Sequence, residues 1–144
     1  MLVAVDVNAT REYTLEKDRG ENPTVFEIGV LDGILGPYLL DKHTTSTRMR
    51  GGEQGIEMKA GSYMLDIVRH GLRGWRNFHD AAGKEIEFKR VQVSVAGVGV
   101  RWVADERCLA MLESEWLTEL ANEIKGDNTV TELDEKNSKP LSEK

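Results

Sequence analysis

The segment from Arg90 to Val103, RVQVSVAGVGVRWV, constrains the possible folds more than any other stretch of the chain. Its valines at positions 91, 93 and 95 recur at every second residue, which is the period of a β-strand with one buried face. Gly97 and Gly99 interrupt the run, and glycines in such a pattern are typical of a turn or a bulge. The pattern predicts a second hairpin or a small sheet that starts near Ile86.

Two further strands are predicted near the N-terminus. REYTLEKD and NPTVFEIGVL are rich in β-branched and aromatic residues, and the cluster RGENP between them is typical of a turn. We therefore predict an N-terminal β-hairpin.

Apolar residues at helical spacing predict three helical segments. The first runs from Leu31 to Lys42, with Asp32 as its cap and Pro37 where it would end or kink. A central helix is predicted in AGSYMLDIVRHGLRGW, after residue 59, and Gly71 and Gly74 bring it to an end. A C-terminal helical region follows Asp105 and stops at Gly126. The predicted fold class is α+β, with an N-terminal β-hairpin, a central helix, a small antiparallel sheet and C-terminal helices.

The domain organisation follows from where these patterns stop. Residues 1–126 are predicted to form a single α+β domain, with a mobile loop near 43–59 because HTTSTRMRGGEQGIEMK has no sustained apolar period. Residues 127–144 are predicted to be an acidic polar tail with a short helix around Thr131 and Asp134.

Charge and composition exclude several classes of protein. The chain has 144 residues and a formal net charge of -6, which argues against a nucleic-acid partner because phosphate binding needs clustered Lys and Arg. No apolar run is long enough to span a bilayer, so we expect no membrane partner. With a single cysteine and no signal-peptide pattern, the cytoplasm is the expected location.

We predict no catalytic, cofactor-binding or metal-binding residues, and therefore no enzyme. The chain has four side chains that are well suited to soft metals: His43, His70, His79 and Cys108. None of them occurs at a spacing that is typical of a metal site. His70 is expected at a helix edge and Cys108 in the core. The carboxylates are expected to be solvated, and no phosphate-binding loop or GxSxG motif occurs.

The aromatic segment GLRGWRNFHDAAGKEIEF has two interpretations. In the first, Trp75 and Phe78 fill the core. In the second, part of this cluster stays exposed and contacts an apolar partner. We favour the first and predict that five side chains are largely buried: Trp75, Phe78, Leu112, Trp116 and Leu120.

A family resemblance covers Asp66 to Ser138. DIVRHGLRGWRNFHDAAGKEIEF and LESEWLTELANEIKGDNTVTELDEKNS resemble tail assembly chaperones of long-tailed, siphovirus-like bacteriophages. The resemblance lies in a helix that ends in Gly-Leu-x-Gly-Trp-x-Asn-Phe, an Asp-x-x-Gly turn before an apolar strand, and a helix with Glu-Leu-Ala and an acidic end. It implies a non-enzymatic protein of the host cytoplasm that binds the tape measure protein, keeps it soluble and helps to recruit the tail tube protein, and that is absent from the mature virion.

The acidic chain, its apolar helix faces and the lack of a catalytic motif suggest how a partner would bind. We expect contacts through Tyr63, Ile67, Trp116 and Leu120, with several copies along one partner and a homo-oligomer as a further option. Two alternatives stay open at this point. One is a structural virion component, such as a neck, connector or minor capsid protein. The other is a small phage regulator or enzyme.

Overall fold

The fold is α+β, as predicted, and the computed structural model describes residues 1–48, 51–52 and 54–129. The helices and strands in chain order are β1 (Thr10–Tyr13), β2 (Val25–Gly29), α1 (Leu35–Lys42), β3 (Thr44–Arg48), β4 (Gln54–Met58), α2 (Ala60–Gly71), β5 (Leu72–Arg76), β6 (Arg90–Val95), β7 (Gly99–Ala104), α3 (Glu106–Leu109) and α4 (Ser114–Thr129).

The N-terminal strands pair as predicted, but they belong to a three-stranded sheet. β1 pairs antiparallel with β2, and β5 lies on the other side of β2. Residues after β1 form a short 3-10 helix, Glu16–Asp18, so the first strand is shorter than predicted. The pairing register places Phe26 between Tyr13 and Trp75. Sequence analysis treated Leu72–Arg76 as the end of a helix and did not identify it as a strand.

The second predicted hairpin is also confirmed. β6 and β7 pair antiparallel, with Val91 opposite Val103 and the connection at residues 96–98. The first strand begins at Arg90 and not at Ile86. Ile86 instead donates its backbone N–H to the carbonyl of Phe78 at 2.7 Å, which holds the preceding turn against the core.

The loop predicted near 43–59 is wrong as an assignment of secondary structure, because β3 and β4 form a hairpin there with Thr44 opposite Met58. Its strands carry threonines, whose branched Cβ favours extended backbone without giving an apolar alternation. Residues 49, 50 and 53 lie outside the described residues. The mobility of this segment stays a prediction.

Helix α1 begins later than predicted and passes through Pro37. The Asp32 carboxylate caps it as expected, since its Oδ1 accepts the backbone N–H groups of Ile34 at 2.9 Å and Leu35 at 2.8 Å. Pro37 lies in the first turn, where a backbone N–H has no partner within the helix. It therefore does not end the helix, which continues to Lys42.

The C-terminal helical region is divided into two helices. Asp105 caps α3 through a bond from the backbone N–H of Arg107 at 3.0 Å, which confirms its predicted role. The chain then turns before α4 begins at Ser114. The predicted stop at Gly126 is wrong, because one helical glycine costs only about 1 kcal/mol and α4 continues to Thr129. The helix predicted around Thr131 and Asp134 lies outside the described residues.

The core lies where the three-stranded sheet meets α2 and α4. Of the five side chains predicted to be largely buried, Trp75, Phe78, Leu112 and Leu120 are buried, which confirms the first interpretation of the aromatic segment. Trp116 is half-buried and packs edge-on against Phe78 at a centroid distance of 6.1 Å. In the part of the chain that the structure describes, no helix combines the length and apolar character needed to cross a bilayer.

Candidate functional site

The side chains predicted to contact a partner are mostly inside the molecule. Ile67 is 1% exposed, Leu120 is 0% exposed, and Tyr63 is also buried. Only Trp116 of the predicted set is half-buried. The apolar faces of α2 and α4 pack on each other, so the amphipathic pattern reflects the core and not an exposed docking face. Three of the four predicted contact side chains are therefore part of the core, and their contact with a partner stays a prediction.

Large apolar side chains are exposed at several places in the described residues, and two of the segments that carry them lie next to each other. One is the N-terminal stretch before β1, where Met1, Leu2, Val3, Val5 and Val7 are exposed. The other is the β6–β7 hairpin, where Val100 is 55% exposed and Trp102 is 54% exposed. Val7, Val100 and Trp102 line one cavity, so the two segments meet there. We call these three residues the apolar rim.

The cavity below the apolar rim has a volume of about 360 Å³ and is lined by three arginines, so we call it the arginine cavity. Arg73 comes from β5, Arg90 begins β6 and Arg101 lies in β7. Asp32 and His70 also line it. The strand pairing of β6 with β7 and the packing of β7 near β5 bring these distant positions together.

Backbone carbonyls hold Arg73 in the wall of the cavity. Its guanidinium donates to Val30 O at 2.9 Å, to Val7 O at 3.2 Å and to His70 O at 3.3 Å. It lies against Gly29, where a Cβ atom would come within 2.6 Å of Arg73 Cζ. Burial lowers the pKa of Arg73, yet a guanidinium stays protonated at neutral pH. The absence of a side chain at position 29 thus makes room for a half-buried positive charge.

Arg101 and Asp32 form the ion pair of the cavity, with Nη2 and Oδ2 separated by 3.3 Å. The Nε of Arg101 is buried and has no hydrogen-bond partner among the described residues. Burial raises the pKa of Asp32, but the N–H groups of Leu35 and Ile34 and the charge of Arg101 lower it below its ordinary value. Asp32 is therefore ionised at neutral pH.

His70 adds no charge to the cavity at neutral pH. Burial lowers its pKa to about 4, and the nearby cations Arg69, Lys42 and Arg101 act in the same direction against the opposing effect of Asp66. The side chain is buried and lies in the last turn of α2, near the C-terminal end of the helix. The predicted burial of Cys108 is confirmed.

The guanidinium of Arg90 donates to the backbone carbonyl of Trp102 at 3.2 Å. This carbonyl is a neutral acceptor and does not balance the charge of Arg90. Three guanidinium groups thus face one carboxylate, and the cavity carries a local charge of +2 in a chain whose formal net charge is -6. The arrangement is suited to anion binding. The cluster was not predicted from the sequence, because the three arginines are far apart along the chain and no short motif joins them.

A second polar cluster surrounds Asp66, whose side chain is only 4% exposed. His43 Nε2 lies 2.6 Å from Asp66 Oδ2, Lys42 Nζ lies 3.1 Å from the same oxygen, and Arg69 bonds to Oδ1. Burial raises the pKa of Asp66, but the hydrogen bonds from His43 and Lys42 and the charge of Arg69 outweigh it and lower the pKa. This cluster joins the end of α1 to α2.

The burial of Asp66 is an exception to the expectation that the carboxylates are mainly solvated. A signal was present in the sequence, because Asp66 lies three residues after Tyr63 and four before His70 and so shares their helix face. The partners of this carboxylate are Lys42, Arg69 and the imidazole of His43, so the cluster is a structural connection between helices. Within residues 1–48, 51–52 and 54–129, no group of three or more His, Cys, Asp or Glu side chains is placed to hold a metal ion.

Comparison with known proteins adds no relative to this description. No protein-family model matches the chain, and neither a curated protein nor a solved structure matches it.

Proposed function

We propose that this chain is a tail assembly chaperone of a long-tailed bacteriophage, which binds the tape measure protein and keeps it soluble in the host cytoplasm. It acts without catalysis, and the tail tube protein is its second partner. The resemblance of Asp66 to Ser138 to this family supports the proposal. Exposed apolar side chains outside the predicted contact residues also support it.

The exposed apolar side chains of two segments carry the proposal. Trp102 exposes 54% of its surface although the chain has a buried core that could accommodate aromatic rings. Exposed Trp side chains are favoured anchors at protein interfaces, and clustered apolar exposure is typical of a contact site. The N-terminal stretch extends this surface with Val3, Val5 and Val7. The net charge of -6 keeps such a chain soluble while the surface is uncovered.

The test is co-expression with the tape measure protein encoded in the same phage genome. The soluble yield of the tape measure protein should rise with this chain and fall again with Trp102→Ser. If Trp102 is a central anchor, its loss weakens binding by about 30-fold or more. Ile56→Ser is the matched control, because Ile56 is an exposed apolar residue on β4 and does not line the arginine cavity.

Mass spectrometry of purified virions separates this proposal from the structural alternative. A chaperone leaves the assembled tail, so the chain should be missing from mature particles. Stoichiometric presence in the virion, together with a tape measure protein that is equally soluble without this chain, would favour a neck, connector or minor capsid protein instead.

A further inference from the structure

The charges in the arginine cavity are not balanced within the described chain. Arg73 and Arg90 donate to backbone carbonyls, which are neutral, and only Arg101 meets the carboxylate of Asp32. Like charges that share a partly buried cavity repel each other more strongly than they would in water. Such an arrangement is expected where an anion binds.

The donors of the cavity have free capacity for that anion. The Nε of Arg101 is buried without a hydrogen-bond partner among the described residues, which is an unfavourable state for a charged donor. Arg90 donates through Nη2 to Trp102, and its planar guanidinium has further N–H groups. An oxyanion in the cavity would accept hydrogen bonds from the remaining N–H groups of Arg90 and would offset the charge of Arg101.

We propose that the arginine cavity binds the phosphate monoester group of a small molecule. The local charge of +2 matches a phosphate monoester, which carries about -1.5 to -2 at neutral pH. Guanidinium forks pair with phosphate oxygens through two parallel hydrogen bonds. A single carboxylate would balance only half of the charge. The site does not depend on the proposed function, since it is a property of the isolated chain.

The size and walls of the cavity indicate a small organic molecule. Its volume of about 360 Å³ lies within the range of about 300–1,000 Å³ that is usual for small-molecule sites. The apolar rim, Val7, Val100 and Trp102, provides a surface for the organic part of the ligand beside the arginines. Trp102 favours a flat ring, because an indole stacks on planar groups.

The position of Gly29 indicates that the fold makes room for Arg73 in the wall of the cavity. A Cβ atom at this position would lie 2.6 Å from Cζ and 2.9 Å from Nε of Arg73. A side chain there would displace the guanidinium from the wall of the cavity. Gly29 at the end of β2 therefore leaves space for the guanidinium of Arg73 from the neighbouring strand β5.

The test uses purified full-length chain and isothermal titration calorimetry at low ionic strength with adenosine 5′-monophosphate as the probe. Wild-type protein should bind it, and Arg90→Gln should weaken binding by about tenfold or more, as expected for the loss of a charge-assisted contact. Arg107→Gln is the control, because Arg107 does not line the cavity, and it should bind like the wild type. Arg101→Gln provides a second variant, with circular dichroism to verify that each variant is folded.

Further probes identify the recognised group. Adenosine, which lacks the phosphate, should bind at least tenfold more weakly, and succinate should not displace the nucleotide. The proposal is overturned if adenosine 5′-monophosphate does not bind, or if Arg90→Gln and Arg101→Gln, both folded, bind it as tightly as the wild type. Tighter binding of succinate than of the phosphate ester would also overturn it and would indicate a site for the acidic side chains of a protein partner.

Discussion

Asp66 is the residue on which the connection between α1 and α2 depends. It is a buried carboxylate whose three cationic or titratable partners are Lys42, His43 and Arg69. Removing one member of a buried ionic group is costly because the remaining charges lose their compensation. Lys42 and Arg69 keep partial access to water, which moderates that cost.

We expect Asp66→Asn to lower the free energy of unfolding by about 3 kcal/mol, since it removes the negative charge and keeps the shape. Urea denaturation monitored by circular dichroism measures the change. Asp41→Asn is the matched control, because Asp41 is exposed near the end of α1 and should change stability by no more than about 0.5 kcal/mol. Equal stability of the two variants would show that the cluster is not important for folding.

At the scale of elements, the contact between α2 and α4 requires a residue without a side chain. Gly71 ends α2, and a Cβ atom at this position would lie 2.6 Å from both Cδ1 and Cγ2 of Ile124. Both residues are buried, so the two helices have little room to separate. Their close approach is therefore specified by one glycine and one isoleucine.

Gly71→Ala should destabilise the chain by about 2 kcal/mol, because overpacking in a dense core displaces side chains or backbone. In a double-mutant cycle, Gly71→Ala combined with Ile124→Ala should cost less than the sum of the two single changes, since the smaller side chain relieves the clash. Gly61→Ala lies in the first turn of the same helix with open space around it and should be neutral or slightly stabilising. Additive costs in the cycle would contradict this account of the contact.

The stability of the whole molecule should fall in mildly acidic solution because of His70. Its pKa is about 4 in the folded chain and about 6.5 when unfolded, so below pH 6.5 only the unfolded state takes up the proton. The stability that His70 contributes is fully present above pH 6.5 and is lost as the pH falls toward 4. The depressed pKa of Asp66 acts at lower pH, since its ordinary value is 3.8.

Between pH 7.5 and pH 5 we expect a loss of about 2 kcal/mol of unfolding free energy from His70 alone. Urea denaturation at both pH values measures this loss. The loss for His70→Gln over the same range should be smaller by about that amount. If the variant and the wild type lose the same stability over this range, His70 is not the group responsible.

The sequence by itself determined the elements whose signal is local. Alternating valines predicted β6 and β7, β-branched and aromatic residues predicted β1 and β2, and helical spacing predicted α2 and the buried positions of Leu112 and Leu120. These predictions hold because the period of apolar residues follows directly from the geometry of a strand or a helix. The α+β class follows from the same patterns.

Only the tertiary structure decided which strands pair and which polar side chains are buried. Leu72–Arg76 becomes a strand because the edge of β2 is open to it, and the Thr-rich segment becomes a hairpin although its pattern lacks apolar alternation. The face of α2 and α4 that suggested a docking surface is covered by their own packing. Arg73, Arg90 and Arg101 meet because strand pairing joins positions that are distant along the chain, and neither periodicity nor motif spacing contains that information.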